Sequence, residues 1–141
     1  MNPAMLEFTQ HPQTLTQGLV LLFALVIGHS IADYPLQGDF LAIHKNRHVK
    51  HPAHSRDFPP TLWIHCLLAH SLIHAGFVWL ITGNVIFAFI ETVLHFIIDA
   101  VKCERLTSYH TDQFLHFGCK VLYVALIMTS GGGSGVWERI Q

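Results

Sequence analysis

Apolar and polar positions alternate along this chain on two scales, and the coarser scale sets its layout. Four apolar runs, at about residues 15–34, 61–81, 85–101 and 112–129, are each long enough to cross a bilayer as a helix, which takes roughly 17–25 residues. Between them the chain turns polar. Residues 1–14 form an exposed lead-in with Pro3 and Pro12, and residues 35–60 form one long loop bounded by Pro35 and the Pro59-Pro60 pair, with an interfacial helix expected near Phe40. Thr82-Gly83-Asn84 predicts a tight turn, because Gly and Asn tolerate turn dihedrals, so the second and third runs should pair as a hairpin. Residues 102–111 make a second polar connection, and residues 130–141 a flexible glycine-rich tail. The expected fold is all-α: a four-helix transmembrane bundle with both termini outside, arranged as a pseudo-repeat of two helical hairpins.

The finer scale is a step of four inside the apolar runs. Glu91, His95 and Asp99 lie one helical turn apart and so share a face of the third run, which continues to Lys102. The first run closes with His29-Ser-Ile-Ala-Asp33 and extends to Gln37 if its helix passes Pro35. The fourth run opens with Asp112-Gln113-Phe-Leu-His116, the same pair in reversed order. Reversal is what geometry demands of a helix that leaves the face at which the other two arrive. The second run brings His65, His70 and His74 from that same side. His70 is the expected site residue, His65 the next choice, and His74 the one expected to pack behind the site. At about 1.5 Å of rise per residue, most of these groups fall within roughly 10 Å of one membrane boundary.

Composition agrees with a membrane protein of one domain: 51% of residues are hydrophobic and only 12% are charged. With 8 basic against 9 acidic residues, the chain lacks the basic footprint of a nucleic-acid binder. Cys66, Cys103 and Cys119 have no CxxC spacing, which leaves neither a disulfide framework nor a thiolate zinc cage. No Lys or Arg occurs in residues 1–28, so the basic region of a cleavable signal is missing and the first run should remain as a span. Six basic residues, Lys45, Arg47, Lys50, Arg56, Lys102 and Arg105, sit in or beside the two loops. That asymmetry places loops 35–60 and 102–111 in the cytoplasm. Loop histidines His44, His48, His51 and His54 are expected to be solvated, and Trp137 to lie at the membrane interface.

Carboxylates inside an apolar wall are costly and mark function. Neutral imidazoles together with carboxylates are the donor set for a divalent ion, which would offset the burial of Asp33, Asp99 and Asp112. The expected metal ligands are His29, Asp33, His70, His95, Asp99, Asp112 and His116. They are enough for one ion with supporting residues or for two. The absence of thiolate motifs favours zinc, with manganese or iron as alternatives, over copper(I) or an iron–sulfur cluster. Glu91, Asp112 and His70 are the candidate proton-transfer groups, and Glu91 can equally be a ligand or a protonated helix contact. Lys102, Gln37 and Gln113 are candidates to hold substrate or to support the ligands, and Lys45 and Lys102 can meet an anionic headgroup.

The ordered motifs Gly28-His29-x-x-Ala32-Asp33-Tyr34-x-Leu36-Gln37, His70, His95-Phe-x-Ile-Asp99-x-x-Lys102 and Asp112-Gln113-x-x-His116 resemble a family of small bacterial and phage integral membrane proteins. That family is catalogued only as a domain of unknown function, number 3307. The resemblance covers about residues 18–128 and implies that these polar positions are the family's signature. It also implies a bacterial or phage source, hence a multi-pass protein of the bacterial inner membrane, but brings no activity with it. From the site chemistry, the leading expectation is a metal-dependent hydrolase acting on a membrane lipid or another amphipathic ester or phosphoester. The alternatives are a non-catalytic membrane module tied together by structural metal, such as an exclusion or lysis-related phage protein, and a small cation carrier. Membrane lipid is the expected partner, with self-association as a further option.

Overall fold

The computed structural model describes residues 12–49 and 58–130. Among these residues it is all-helical, with α1 Leu15–Asp33, α2 Gly38–His44, α3 Leu62–Thr82, α4 Val85–Cys103 and α5 Tyr109–Ser130. Most of the 1–14 lead-in, the tail beyond residue 130 with Trp137, and loop residues Lys50, His51, His54 and Arg56 lie outside the described residues.

Each helix starts and stops for a local reason. The Thr14 hydroxyl accepts from the Gln17 backbone N–H at 3.2 Å, while the Gln17 side chain accepts from the Thr14 N–H at 3.1 Å. This reciprocal pair satisfies two otherwise orphaned donors at the start of α1. The helix stops at Asp33, short of Pro35, so the register does not run straight on to Gln37. A turn over residues 34–37 and a left-handed Gly38 (φ +57°) redirect the chain into α2 instead. α3 ends on Gly83 in the left-handed region (φ +69°), and the Asn84 side chain accepts from the N–H groups of Ile86 and Phe87 at 2.9 and 3.3 Å. The expected hairpin is therefore built by Gly83 ending one helix and Asn84 capping the next. At the far end of α4, Arg105 adopts φ +61°, and the Leu106 N–H bonds the Val101 carbonyl at 3.2 Å, a helix-terminating geometry more often served by glycine. α5 begins three residues earlier than the sequence suggests. Ser108, whose hydroxyl accepts from the Thr111 N–H at 3.1 Å, caps it, and Asp112 falls in the first turn with its carboxylate free to turn inward.

The four long helices form a ring in which α1 packs on α3 and α5, α3 on α4, and α4 on α5; α2 lies against α3. One end of the ring is filled by Leu21, Leu25, Val78, Phe87, Tyr123 and Val124. The other end holds the polar residues. Gly28 lets α1 approach α3 just before His29: a Cβ there would lie 3.1 Å from the Phe77 Cβ and 3.0 Å from an Ile81 methyl.

Two of the helices, α1 and α3, are long and apolar enough to cross a membrane, with mean hydropathies of 1.9 and 1.7. The expectation of four membrane spans is met only in part. α4 carries Glu91, Asp99 and Lys102, and α5 carries Asp112 and Lys120. Those charges are turned inward: Glu91, Asp99, Asp112 and Lys120 are all buried, whereas Phe89 and Phe114 on the same helices are 71% and 76% exposed.

Candidate metal centre

Four helices each bring two site residues to the polar end of the ring. α1 contributes His29 and Asp33, α3 His70 and His74, α4 His95 and Asp99, and α5 Asp112 and His116. On each helix the two are four residues apart, so a single inward face presents both. All are buried except Asp33, whose side chain is 12% exposed and marks the rim.

The rings interlock closely. His74 stacks on His95 with centroids 3.7 Å apart, and His95 on His116 at 4.1 Å. His70 meets His95 edge-on at 4.9 Å, and His29 lies 4.8 Å from His74. The His29 and His74 Nδ1 atoms are 3.2 Å apart, within reach of a hydrogen bond.

Around these rings the carboxylate oxygens hold a recurrent spacing. His70 Nε2 lies 3.5 Å from Asp33 Oδ1 and 3.4 Å from Asp99 Oδ2. His95 Nε2 lies 3.8 Å from Asp99 Oδ2, and His116 Nε2 lies 3.5 Å from Asp99 Oδ1 and 3.6 Å from Asp112 Oδ1. These contacts are too long or too poorly aligned to be good hydrogen bonds. Accordingly, His29 Nε2, both nitrogens of His70, His74 Nε2, His95 Nε2 and Asp112 Oδ1 are buried without a hydrogen-bond partner. Orphaned polar atoms at such density are expensive and call for an explanation. The spacing suits ligands of one ion, since two donors each about 2.1 Å from a tetrahedral metal sit about 3.4 Å apart. Four overlapping triads meet that geometry, with donor atoms within 4.8 Å of one another: His29/His74/His95, Asp33/His70/His74, His70/His95/Asp99 and Asp99/Asp112/His116.

Lysines complete the electrostatics. Lys45 donates to Asp99 Oδ2 at 2.6 Å and to Gln37 Oε1 at 2.6 Å. Lys102 donates to Asp112 Oδ2 at 2.8 Å, and Lys120 to Glu91 Oε1 at 2.5 Å. Asp33 meets imidazoles and the Gln113 amide, which donates to its Oδ2 at 2.9 Å. With the imidazoles neutral, four carboxylates face three ammonium groups, which would leave one negative charge in the site.

The sequence expectations fare unevenly. The seven expected ligands, His29, Asp33, His70, His95, Asp99, Asp112 and His116, are brought together. Gln37, Gln113 and Lys102 border them, although Gln37 arrives through the turn before α2 and not along a continuous helix. His74, expected behind the site, is inside it, and His65, the second choice, is exposed. The phase of α3 explains both: four residues turn a helix by about 40°, whereas five turn it by about 140°. Glu91 lies outside every donor triad. Both its oxygens are already engaged, Oε1 by Lys120 and by His95 Nδ1 at 3.3 Å, Oε2 by the Tyr123 hydroxyl at 3.0 Å. This leaves it poorly placed for proton transfer to a substrate. Lys45, expected at an anionic headgroup, instead enters the site; the sequence reading gives Lys120 and Tyr123 no role there, although they stand four and seven positions after His116, on the same face.

At the surface beside the site, Tyr34 and Tyr109 share a hydrogen bond at 2.5 Å, which raises the Tyr34 phenol above its ordinary pKa. His44 rests on Phe40 with ring centroids 4.3 Å apart, and so is less solvated than a loop residue was expected to be. Arg47 and His48 both reach Glu104, at 2.7 and 3.0 Å. Hydrogen bonds from those two residues hold the exposed Glu104 carboxyl below the usual glutamate range.

Comparison with known proteins gives a family and nothing finer. Residues 21–135 match the model of a family described as "Protein of unknown function (DUF3307)". No curated protein and no solved structure matches the chain.

Proposed function

This chain belongs to the DUF3307 family of proteins of unknown function, and from that premise we propose that it is a four-span membrane protein with a divalent-metal centre that hydrolyses an ester or phosphoester of an amphipathic substrate. The observation that carries the reading is the cluster of five imidazoles and three aspartates from four helices, with unpartnered donor atoms at ligand spacing. The nitrogen-rich donor set without thiolates favours zinc, with manganese or iron as alternatives. The single uncompensated negative charge favours one ion over two.

Spanning by α4 and α5 as well as α1 and α3 is supported by the inside-out placement of charge, with lysines and carboxylates inward and phenylalanines outward. The basic loop residues then support a site in the cytoplasmic leaflet of a bacterial inner membrane. An ion of this class lowers the pKa of a bound water toward about 7 and polarises the bond to be cleaved. The chain's own residues divide the remaining work. Asp33, the most open carboxylate of the cluster, is oriented by Gln113 to accept a proton at the rim. Lys102, whose side chain is 28% exposed, has ammonium donors to spare for an anionic group. A divalent ion would turn the site's net charge from negative to positive, which suits a phosphoester.

Near-complete burial of His70, His95 and Asp112 favours a second reading, in which the ion is structural and ties the helices together. A cation carrier is disfavoured by the apolar plug from Leu21 to Val124 at the other end of the ring. Turnover separates the first two readings. Detergent-purified protein, stripped with chelator and reloaded with zinc, should release product from a panel of short-chain phospholipids only when loaded, and should lose that release in Asp33→Asn. A protein whose melting temperature rises with zinc but which cleaves none of the panel, nor soluble aryl esters and phosphoesters, would support the structural reading instead.

A further inference from the structure

Among the described residues, Glu91 is a fully buried carboxylate that lies outside every donor triad, and its surroundings assign it a different task. We propose that Glu91, held in place by Lys120 and Tyr123, is the positioning residue that fixes His95 with its proton on Nδ1 and its Nε2 lone pair aimed into the metal centre. The inference rests on the metal-centre reading and deepens it.

The geometry runs in one line. Tyr123 and Lys120 on α5 donate to Glu91 at 3.0 and 2.5 Å. Glu91 Oε1 lies 3.3 Å from His95 Nδ1, four residues along the same helix. On the far side of that ring, His95 Nε2 is unpartnered and lies 3.8 Å from Asp99 Oδ2. All four side chains are at most 1% exposed, so no solvent competes for Glu91. An imidazole held between a carboxylate and a cluster of donors has only one productive tautomer. The Nδ1–H donates to the carboxylate, and Nε2 is left as a ligand of raised basicity. Tyr123 and Lys120 satisfy the rest of the carboxylate and keep it from rotating toward the cluster, where it would compete as a ligand. His95 stacks on both His74 and His116, so fixing this one ring also limits the tilt of its neighbours.

Cobalt(II) titration of the full chain in detergent tests the assignment, because cobalt reports affinity and ligand field together. Changing Glu91 alone would strand the Lys120 ammonium in the interior and could unfold the bundle. The informative variant is therefore Glu91→Met/Lys120→Met/Tyr123→Phe, which removes every polar member of the network at similar volume. It should keep its helical circular dichroism and melt cooperatively, yet bind cobalt about 10- to 100-fold more weakly than wild type, as loss of a supporting carboxylate does in other sites. Its visible absorption band should shift, and a purely structural network would move neither quantity in a folded variant. If the folded variant instead binds with wild-type affinity and an unchanged spectrum, Glu91 has no positioning role while the metal centre stands. If the variant does not fold, Tyr123→Phe alone serves: weaker binding with a shifted band supports the role, and an unchanged titration overturns it. A wild-type protein that takes up no cobalt, zinc, manganese or iron overturns the metal centre and this assignment together.

Discussion

Replacing Asp99 with Asn should weaken divalent-ion binding on the order of 100-fold or more and should also lower the stability of the metal-free protein. Asp99 is the residue on which the site converges: Oδ2 faces His70 at 3.4 Å and His95 at 3.8 Å, while Oδ1 faces His116 at 3.5 Å. Losing a charged donor from the centre should exceed the roughly 10- to 100-fold cost of disturbing a supporting residue. The stability loss has a separate origin. Lys45 Nζ, 2.6 Å from Asp99 and buried, would be left with neutral amide carbonyls alone, and breaking one half of a buried ion pair costs about 3–5 kcal/mol. Asp33→Asn makes the contrast, because Asp33 contacts imidazoles and an amide but no ammonium group among the described residues. It should weaken metal binding with much less loss of stability. Competition against a fluorescent chelator and melting of the chelator-stripped protein measure the two effects. Wild-type affinity in Asp99→Asn would remove Asp99 from the ligand set.

The second large effect is expected at Lys120, deep in α5. Lys120→Met leaves the Glu91 carboxylate buried with only Tyr123 and His95 to satisfy it, and should destabilise the fold by about 3–5 kcal/mol. Removing Glu91 and the Tyr123 hydroxyl in the same chain should restore most of that loss, since an apolar replacement of a whole buried pair is often neutral or better. Unfolding of the single and triple variants in mixed micelles checks both statements. A single variant as stable as wild type would mean that the Lys120–Glu91 contact contributes little.

How much of this was legible in the sequence depends on whether a residue shares a helix face with another. The pairs His29/Asp33, His95/Asp99 and Asp112/His116 declare themselves, because a step of four in an apolar run can mean only one face. Lys120 and Tyr123 continue the Asp112/His116 face and could have been read the same way. His74 against His65 turns on helical phase relative to His70, and the phase needed only the 3.6-residue period. Lys45 had no such signal. It reaches Asp99, 54 residues distant in the chain, only because the chain reverses over residues 34–37 and a two-turn helix carries it back across the open end of the ring. The all-helical fold and the Gly83-Asn84 hairpin followed from apolar run length and turn chemistry. The starts of helices were less legible: α5 opens at Tyr109 behind the Ser108 cap, ahead of the apolar run that begins at Asp112.

The ammonium groups also alter the electrostatic reasoning. From sequence, three buried aspartates call for a metal cation, a proton or a cationic partner. In the folded chain, lysines already neutralise two of them and Glu91 as well, so the drive to bind metal comes less from bulk charge than from the unpartnered imidazole nitrogens and one residual negative charge.

The central claim is that the His/Asp cluster binds a divalent ion, and elemental analysis of the detergent-purified full chain tests it most directly. Wild type dialysed against metal-free buffer should retain about one zinc, manganese or iron ion per chain, and His70→Ala/His116→Ala, handled in parallel and shown to be folded, should retain almost none. Equal metal content in the two proteins, or none in wild type after reloading with each of these ions, would contradict the account.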